Sequence, residues 1–541
     1  MNYSRQNLWS FGISSISIIL LLPVIALIVI SFGNSDGLWQ HLFETVLIEY
    51  VLTTLALMFG VLIVSLIYGL ATAWIITNFD FHFKRILDLL LILPAACPAY
   101  LVAYAYTDFF EYAGPVQGTL RNIFGWTNGS DYYFPEIRSI GGAIFVLSSV
   151  LYPYIYLLSR TAFRQTPTSL SDVSRIYGRS KFWNVSLPLA RPAVVAGSAL
   201  VCMEVVSDFG TVEFFSLNTL TLGIFNVWIG MNNITAAAQI SLFTFLFVVA
   251  LLITEIKSRA GQRFNDTSQR QTNTAEKKVS GFKSLLFILI CIFPIVCGFI
   301  LPTSILLSNM KTYFNYEDLT TMGQVVANTF FVATIGSAII VGIATFLTCS
   351  TGLLGRKFLT NLANISATGY AFPGTMLAIG VLVTIGLIDK LFEFIFSSKL
   401  ISLEPFFLSG TISVLIFAYV VRFLAVGYGA TLSGLSKISS NLNWASRTLS
   451  RSLSNSLIRV SIPLIKKSII AGGLLAFVDI TKELPMTLLL RPFDFETLAT
   501  FTYQYAHDEL MGQAAFPALL IIFFGLLPVI YLNMILKMNT K

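Results

Sequence analysis

Two short stretches place carboxylates where the surrounding sequence is apolar. "MEVVSDFG" carries Glu204 and Asp208, and "FVDITKELP" carries Asp479 and Glu483. Each pair is spaced i, i+4, which puts both members on one face of a helix. A carboxylate at mid-bilayer costs about 2.5–3.5 kcal/mol, so it turns to a protein interior or a watery path. Carboxylate oxygens suit hard cations, and four of them near one axis would make an acidic lining. Two other uses stay open. The groups can sit at the outer ends of their spans, where exposure costs little. Alternatively, Lys482, Arg491 and their neighbours can neutralise them as packing contacts. Gly210 and Pro485 each follow the second carboxylate by two. Both loosen a helix, which fits either a gate or a plain helix end.

The elements that must hold these residues are membrane spans. The chain has 541 residues, is 55% hydrophobic and only 11% charged, against about 25% charged in soluble proteins. Apolar runs long enough to cross a bilayer, roughly 20 residues each, recur throughout. A β-barrel would instead show short alternating segments. The run Leu8–Ser31 is too long for a signal-peptide core and has no small-residue cleavage site after it, so it reads as a retained span. Twelve spans are expected. Six lie near 9–32, 50–77, 87–107, 140–159, 192–212 and 236–254. Six more lie near 285–308, 327–354, 363–388, 410–433, 468–490 and 513–536.

Alternating sides along these spans put 26 of the 34 Lys and Arg residues on the side of the N-terminus and 7 on the other, with Arg422 inside a span. That split follows the positive-inside rule, so both termini are expected in the cytoplasm. The +7 net charge is then topology rather than nucleic-acid binding. The five cysteines, Cys97, Cys202, Cys291, Cys297 and Cys349, lie in or beside apolar runs with no C-x-x-C pair. They read as small core residues. His41, His82 and His507 are scattered. No Ser/His/Asp or metal-ligand cluster supports a membrane enzyme.

Residues 257–283 are polar and read as a linker between two six-span halves. An offset of 275 superposes the halves: Thr54 on Thr329, Pro188 on Pro463, Gly197 on Gly472, Glu204 on Asp479, and Asp208 on Glu483. Six is an even number, so the repeats are parallel, with the pathway expected at their interface. The domains expected are a span and outer loop over 1–48, a first transmembrane domain over 49–256, and the linker. A span and outer loop over 284–324 and a second domain over 325–536 follow.

One polar loop also occurs twice. "TPTSLSDVSRIYGRSKFWNVSLPLARP" begins at Thr166, and "SKISSNLNWASRTLSRSLSNSLIRVSIPLIKK" begins at Ser436. Capping residues, basic residues and a late proline predict a short amphipathic helix, a turn, a second short helix and a proline-marked entry to the next span. "DVSRIYG" with "VSLPLARP", and "WASRTLS" with "VSIP", resemble the E-A-A-x-x-x-G loop of type I ABC importer permeases. Neither copy has the Glu, the second has Ser450 in place of Gly, and the first is three residues shorter before its proline.

The resemblance implies an all-α polytopic fold of two parallel six-helix repeats. It also implies coupling contacts with a separate ATPase at Asp172, Arg175, Gly178, Leu187 and Pro188, and at Ala445, Ser446, Arg447, Ser450 and Pro463. No G-x-x-x-x-G-K-[ST] occurs, and "GLLGRKF" has the wrong spacing. ATP and Mg are therefore expected in the partner, and no cofactor in this chain.

The segments from Met203 and Phe477 resemble those of fused ferric-iron permeases, in "DFGTVEFF", "TLTLGI", "KELPMTLLLRP" and "FETLAT". This second resemblance spans nearly the whole chain. It implies an inner-membrane permease for ferric iron, working with a homodimeric ATPase and a periplasmic ferric-iron-binding protein. Its surroundings would be membrane lipid, with no nucleic acid. Glu204, Asp208, Asp479 and Glu483 would touch iron only transiently, since a path must release its ion. The outer segments 108–139, 213–235, 389–409 and 491–512 carry aromatics that suit interfacial anchors or contacts with the binding protein. The rival readings are a same-class permease for thiamine, a phosphonate or a polyamine, and an ATP-independent secondary transporter, which would need no repeated coupling loop.

Overall fold

The computed structural model describes residues 3–260, 277–313, 319–397, 408–436, 438 and 453–538. The long apolar runs become helices because a bilayer leaves backbone groups no other partner. We number the spanning helices in order. The first half holds α1 (Tyr3–Ser31), α2 (Leu47–Asn78), α3 (Ala99–Phe110), α4 (Ile140–Arg164), α5 (Phe182–Ser207) and α6 (Ile234–Ala260). The second holds α7 (Phe282–Tyr313), α8 (Leu319–Leu354), α9 (Gly374–Ser397), α10 (Ile412–Ser436), α11 (Ser454–Thr481) and α12 (Met511–Met538). Many hydroxyl groups inside these spans are satisfied within their own helix, as when Thr54 Oγ1 donates to the Tyr50 carbonyl at 2.7 Å.

Eleven of these helices are long and apolar enough to cross a membrane unbroken. The exception is the third. Lys84–Ala96 meets the helix beginning at Ala99 at a 91° bend, where Pro94 and Pro98 interrupt the ladder. The expected span at 87–107 is therefore a bent pair.

The expected fifth and eleventh spans also shift. α5 starts ten residues earlier than 192, and α11 starts at Ser454 rather than 468. "VSLPL" and "VSIPL" lie inside these helices. Neither is an entry point, and no separate second short helix precedes α5. A π turn covers Phe182–Ser186 two residues before Pro188, and another covers Leu457–Ser461 two residues before Pro463. A third, Val296–Ile300 in α7, stands in the same place before Pro302. Proline lacks an N–H and strikes the carbonyl four residues back. One wider turn shifts that carbonyl, so the helix runs on.

Within each half, small residues let one helix sit between two others. A Cβ on Gly69 of α2 would lie 2.8 Å from Ile155, and one on Gly197 of α5 would lie 2.9 Å from the same residue of α4. In the second half, Gly472 of α11 approaches Gly427 and Ala430 of α10, and Gly427 faces Ile340 of α8. Gly197 and Gly472, paired by the 275 offset, thus do the same work.

The first helix of each half packs on the other half. In α1, Trp9 stacks on Phe346 at 5.5 Å, Ser17 meets Ser366 at 3.5 Å, and the Pro23 carbonyl fills the space a side chain at Gly380 would need. In α7, the Cys297 carbonyl accepts from Tyr106 at 2.5 Å, and Gly298 lies against the Ser149 carbonyl. The linker-side ends are tied by a two-residue parallel pairing of β1 (Phe79–Asp80) with β2 (Lys277–Lys278).

Candidate translocation pathway

The four carboxylates sit at two matching helix breaks. α5 stops at Ser207, Asp208 is extended, and a short helix restarts over Gly210–Phe214. α11 stops at Thr481, and a short helix restarts over Pro485–Leu490. Only Glu204 and Asp479 lie on the spans. The shared helix face expected for each pair does not form, because the second member caps the restarted helix. Asp208 accepts from Thr211 Oγ1 at 3.0 Å and from the Val212 amide at 3.2 Å. Glu483 accepts from the Met486 amide at 3.2 Å. Acceptors at a helix start satisfy donors that would otherwise be orphaned, which makes a break here stable.

Gly210 and Pro485 take the first position of the two restarted helices. Proline fits there because that N–H has no helical partner. Glycine fits because a Cβ would lie 2.7 Å from Tyr100 and 3.0 Å from Leu484 of the other half. Helix termination and restart thus occur together, and the first break touches the second. Beyond each break the chain turns into another short helix, Leu220–Phe225 or Leu498–His507, whose caps are Thr219 and Thr497. The Leu220 amide donates to Thr54 at 3.0 Å and the Leu498 amide to Thr329 at 2.8 Å. The outer segments at 213–235 and 491–512 consist largely of these packed helices.

The carboxylates converge on the interface between halves. Tyr370 of the second half donates to Glu204 Oε1 at 2.5 Å. Asp479 pairs with Lys482 at 2.9 Å. Glu204, Asp479 and Lys482 all act electrostatically on the Tyr154 hydroxyl. Asp208 senses Glu204, and Glu483 senses Glu204 and Asp479.

Lys482 neutralises one carboxylate, as the second reading of the sequence expected. Arg491 does not, since it pairs with Glu496. The remaining cation is Arg422 of α10, which meets Glu483 at 3.0 Å with both side chains buried. The sequence flagged Arg422 only as a charge inside a span, and that was the available signal for its role. Tyr154 and Tyr370 gave none. Among the described residues the interface therefore holds four carboxylates and two cations, and neither Glu204 nor Asp208 forms an ion pair. Among the described residues no three His, Cys, Asp or Glu side chains converge as a metal-holding group.

The first repeated loop is a helix, Thr168–Ile176, closed by Gly178 at φ +64°. The Arg179 amide donates to the Ser174 carbonyl at 2.9 Å, the wrap-back that a left-handed glycine permits. Asp172 lies exposed on this helix, and Leu187 and Pro188 belong to α5. Its burial is inverted. Ser171 and Ser174 face inward, while Leu170, Val173, Ile176 and Tyr177 are exposed, the last two at 81% and 76%. Just beyond it, Lys181 donates to Asn78 at 2.7 Å, and Phe182 packs edge-on against Trp74 at 4.9 Å. In the second copy Pro463 lies in α11, and Ala445, Ser446, Arg447 and Ser450 lie outside the described residues.

Residues 65–260 match the family described as binding-protein-dependent transport system inner membrane component. The chain is 22% identical over 508 residues to an Fe(3+)-transport system permease protein of Haemophilus influenzae, covering 91% of each. It is 23% identical to a ferric transport system permease protein of Actinobacillus pleuropneumoniae, over 85% of this chain and 67% of that one. It is 24% identical to a molybdenum transport system permease protein of Escherichia coli, over 42% of this chain and 95% of that one. Residues 65–260 thus carry the inner-membrane component of a binding-protein-dependent transport system, and the parallel halves, the paired helix breaks and these matches liken the whole chain to multi-pass permease subunits of such systems.

Proposed function

We propose that this permease imports ferric iron, with the ion passing between the halves beside Glu204, Asp208, Asp479 and Glu483. The observation that carries the reading is the oxygen-rich interface, in which two of four carboxylates form no ion pair among the described residues. Such a lining attracts a hard cation and repels the oxyanions molybdate and sulfate. The likeness to ferric permeases runs along nearly the whole chain, whereas the likeness to the molybdenum permease covers under half of it. Partial neutralisation by Lys482 and Arg422 suits a path that must let its ion go.

The drive would come from a homodimeric ATPase on the cytoplasmic side, where both termini also lie. The outward apolar face at Leu170, Val173, Ile176 and Tyr177 supports a docking role, since such a patch calls for a partner. The tie from Lys181 and Phe182 to Asn78 and Trp74 would carry motion into α2. ATP and Mg belong to that partner, and a periplasmic binding protein would deliver the iron. The test is uptake of labelled Fe(III) into proteoliposomes holding this chain, its ATPase and its binding protein. ATP-dependent iron uptake is expected. Uptake of molybdate, sulfate or thiamine with no iron uptake would overturn the cargo.

A further inference from the structure

Next to Asp208 lies a second polar group at the same interface. Tyr104 of α3 is buried at 3% exposure, and its hydroxyl has no hydrogen-bond partner among the described residues. The charges of Glu213 and Asp208 and the hydroxyl of Tyr503 all act on that hydroxyl. Glu213 stands on the short helix after the first break and takes a hydrogen bond from Tyr503. Tyr503 lies edge-on to His507 at 5.7 Å, and His507 acts on Glu213. The group runs from buried Tyr104 and Tyr503, through half-buried Glu213, to exposed His507. Tyr104 and Glu213 come from the first half, and Tyr503 and His507 from the second.

The repeat supplies a built-in comparison. The offset of 275 sets Tyr104 on Ile379 and Glu213 on Leu488. Beyond the capping threonines Thr219 and Thr497 the offset is 278, which sets Tyr503 on Phe225 and His507 on Ile229. All four equivalents are apolar. The repeated architecture is thus served by apolar residues at these positions, and the polar set has been placed once. A buried phenol without a partner costs stability, so its retention needs a use.

We propose that Tyr104, Glu213, Tyr503 and His507 form an outer station that receives ferric iron before it reaches Glu204 and Asp479. The assignment rests on iron being the cargo. Phenolate, carboxylate and imidazole are all iron ligands. Each tyrosine that binds forms an Fe–O bond and breaks its O–H bond, and the proton leaves to solvent past His507. The iron stays ferric throughout. Proton release on binding is general for metals whose ligands must be deprotonated. Two phenols and one carboxylate from separate halves hold the ion only while the halves are close, so their separation would release it.

The test uses the whole permease–ATPase complex in lipid nanodiscs with ferric nitrilotriacetate as the iron source. Visible phenolate-to-iron charge-transfer absorption is expected on the intact complex. It should be lost in Tyr104→Phe/Tyr503→Phe and kept in Glu204→Gln/Asp479→Asn. Tyr104→Phe removes a hydroxyl that bonds to no described residue, so that single variant stays folded and should weaken the band alone. A complex that imports iron but shows no band, or an unchanged band in the double Phe variant, overturns the station and leaves the cargo standing. A complex that imports another ligand and no iron overturns the cargo, and the station with it.

Discussion

Arg422 and Glu483 form a buried ion pair that pins the second helix break onto α10. The contact is 3.0 Å, with Arg422 7% and Glu483 6% exposed. Arg422→Leu strips the cation and leaves a carboxylate in an apolar setting, which costs about 3–5 kcal/mol for a buried pair broken from one side. Glu483→Gln leaves the guanidinium instead and costs a similar amount by the same argument. Its amide oxygen can still accept from the Met486 amide, so the cap survives. Arg422→Leu/Glu483→Gln removes both charges. It should return to within about 1 kcal/mol of the starting protein, because replacing a buried pair by neutral groups is often free.

Gly374→Ala attacks the same contact from outside. Its Cβ would lie 2.1 Å from Arg422 Nη1 and 2.8 Å from Glu483 Oε1. The assay is reversible unfolding in bilayer-mimetic micelles for the two single variants and the double, read as a double-mutant cycle. The reasoning fails if Arg422→Leu costs less than about 1 kcal/mol, the scale of an exposed pair. It fails equally if the single costs simply add in the double, which would mean no coupling.

Four further outcomes follow from the same geometry. Thr54→Val and Thr329→Val each orphan one buried amide, Leu220 or Leu498. Each should cost about 1–3 kcal/mol and raise hydrogen exchange at that amide, with a large difference between the two speaking against equivalent breaks. Lys482→Gln leaves Asp479 without its 2.9 Å partner and should slow ATP-driven uptake, while Lys482→Gln/Asp479→Asn should recover it. No recovery would mean Lys482 acts elsewhere. Gly178→Ala meets no neighbour but keeps φ at +64°, so its cost is backbone strain alone, about 1–2 kcal/mol. Exchange should rise over 168–178 with the spans unchanged, and a rise in α4 or α5 would contradict this.

Asp131 supplies a pH test. The Asn128 and Thr127 amides hold its carboxyl below the usual 3.8. A depressed folded value gives stability that is present above the unfolded pKa and lost as pH falls through the folded one. Protection of Thr127 and Asn128 should therefore hold from neutral pH to about pH 4 and fall below it, and loss between pH 7 and 5 would refute the cap.

The spans and their repeat were legible because hydrophobic length and a fixed offset survive divergence. Thr54 with Thr329 and Gly197 with Gly472 hold matching places in the two halves. Gly210 and Pro485 left a helix end open as one reading, but the restart beyond it was not legible. Asp208 and Glu483 lie in runs apolar enough to continue a helix, and only the capping geometry shows that each starts a new one. The π turns were hidden because proline inside an apolar run reads as a boundary, whereas a wider turn carries the helix past it. The partner of Arg422 was out of reach, since Glu483 is 61 residues away and no local spacing links them. The asymmetry at Tyr104 and Glu213 shows at the offset of 275, whereas that at Tyr503 and His507 emerges only when the offset is corrected to 278 beyond the capping threonines.

The crossing of α1 onto the second half has a consequence in time. Phe346, Ser366 and Gly380, against which α1 packs, are made more than about 300 residues after α1 is complete. At roughly 5–20 residues per second that is an interval of about 15 to 70 s. For most of that period α1 is held in the bilayer by its hydrophobicity alone, and by α6 only once residues 234–260 have been made, without its main partner. The α1 surface that will meet α9 faces lipid and is open to chaperones and membrane proteases. A nascent chain arrested before α9 would thus be recognisable by one unclaimed helix, and quality control could read completion of the second half from the disappearance of the first span's bare face.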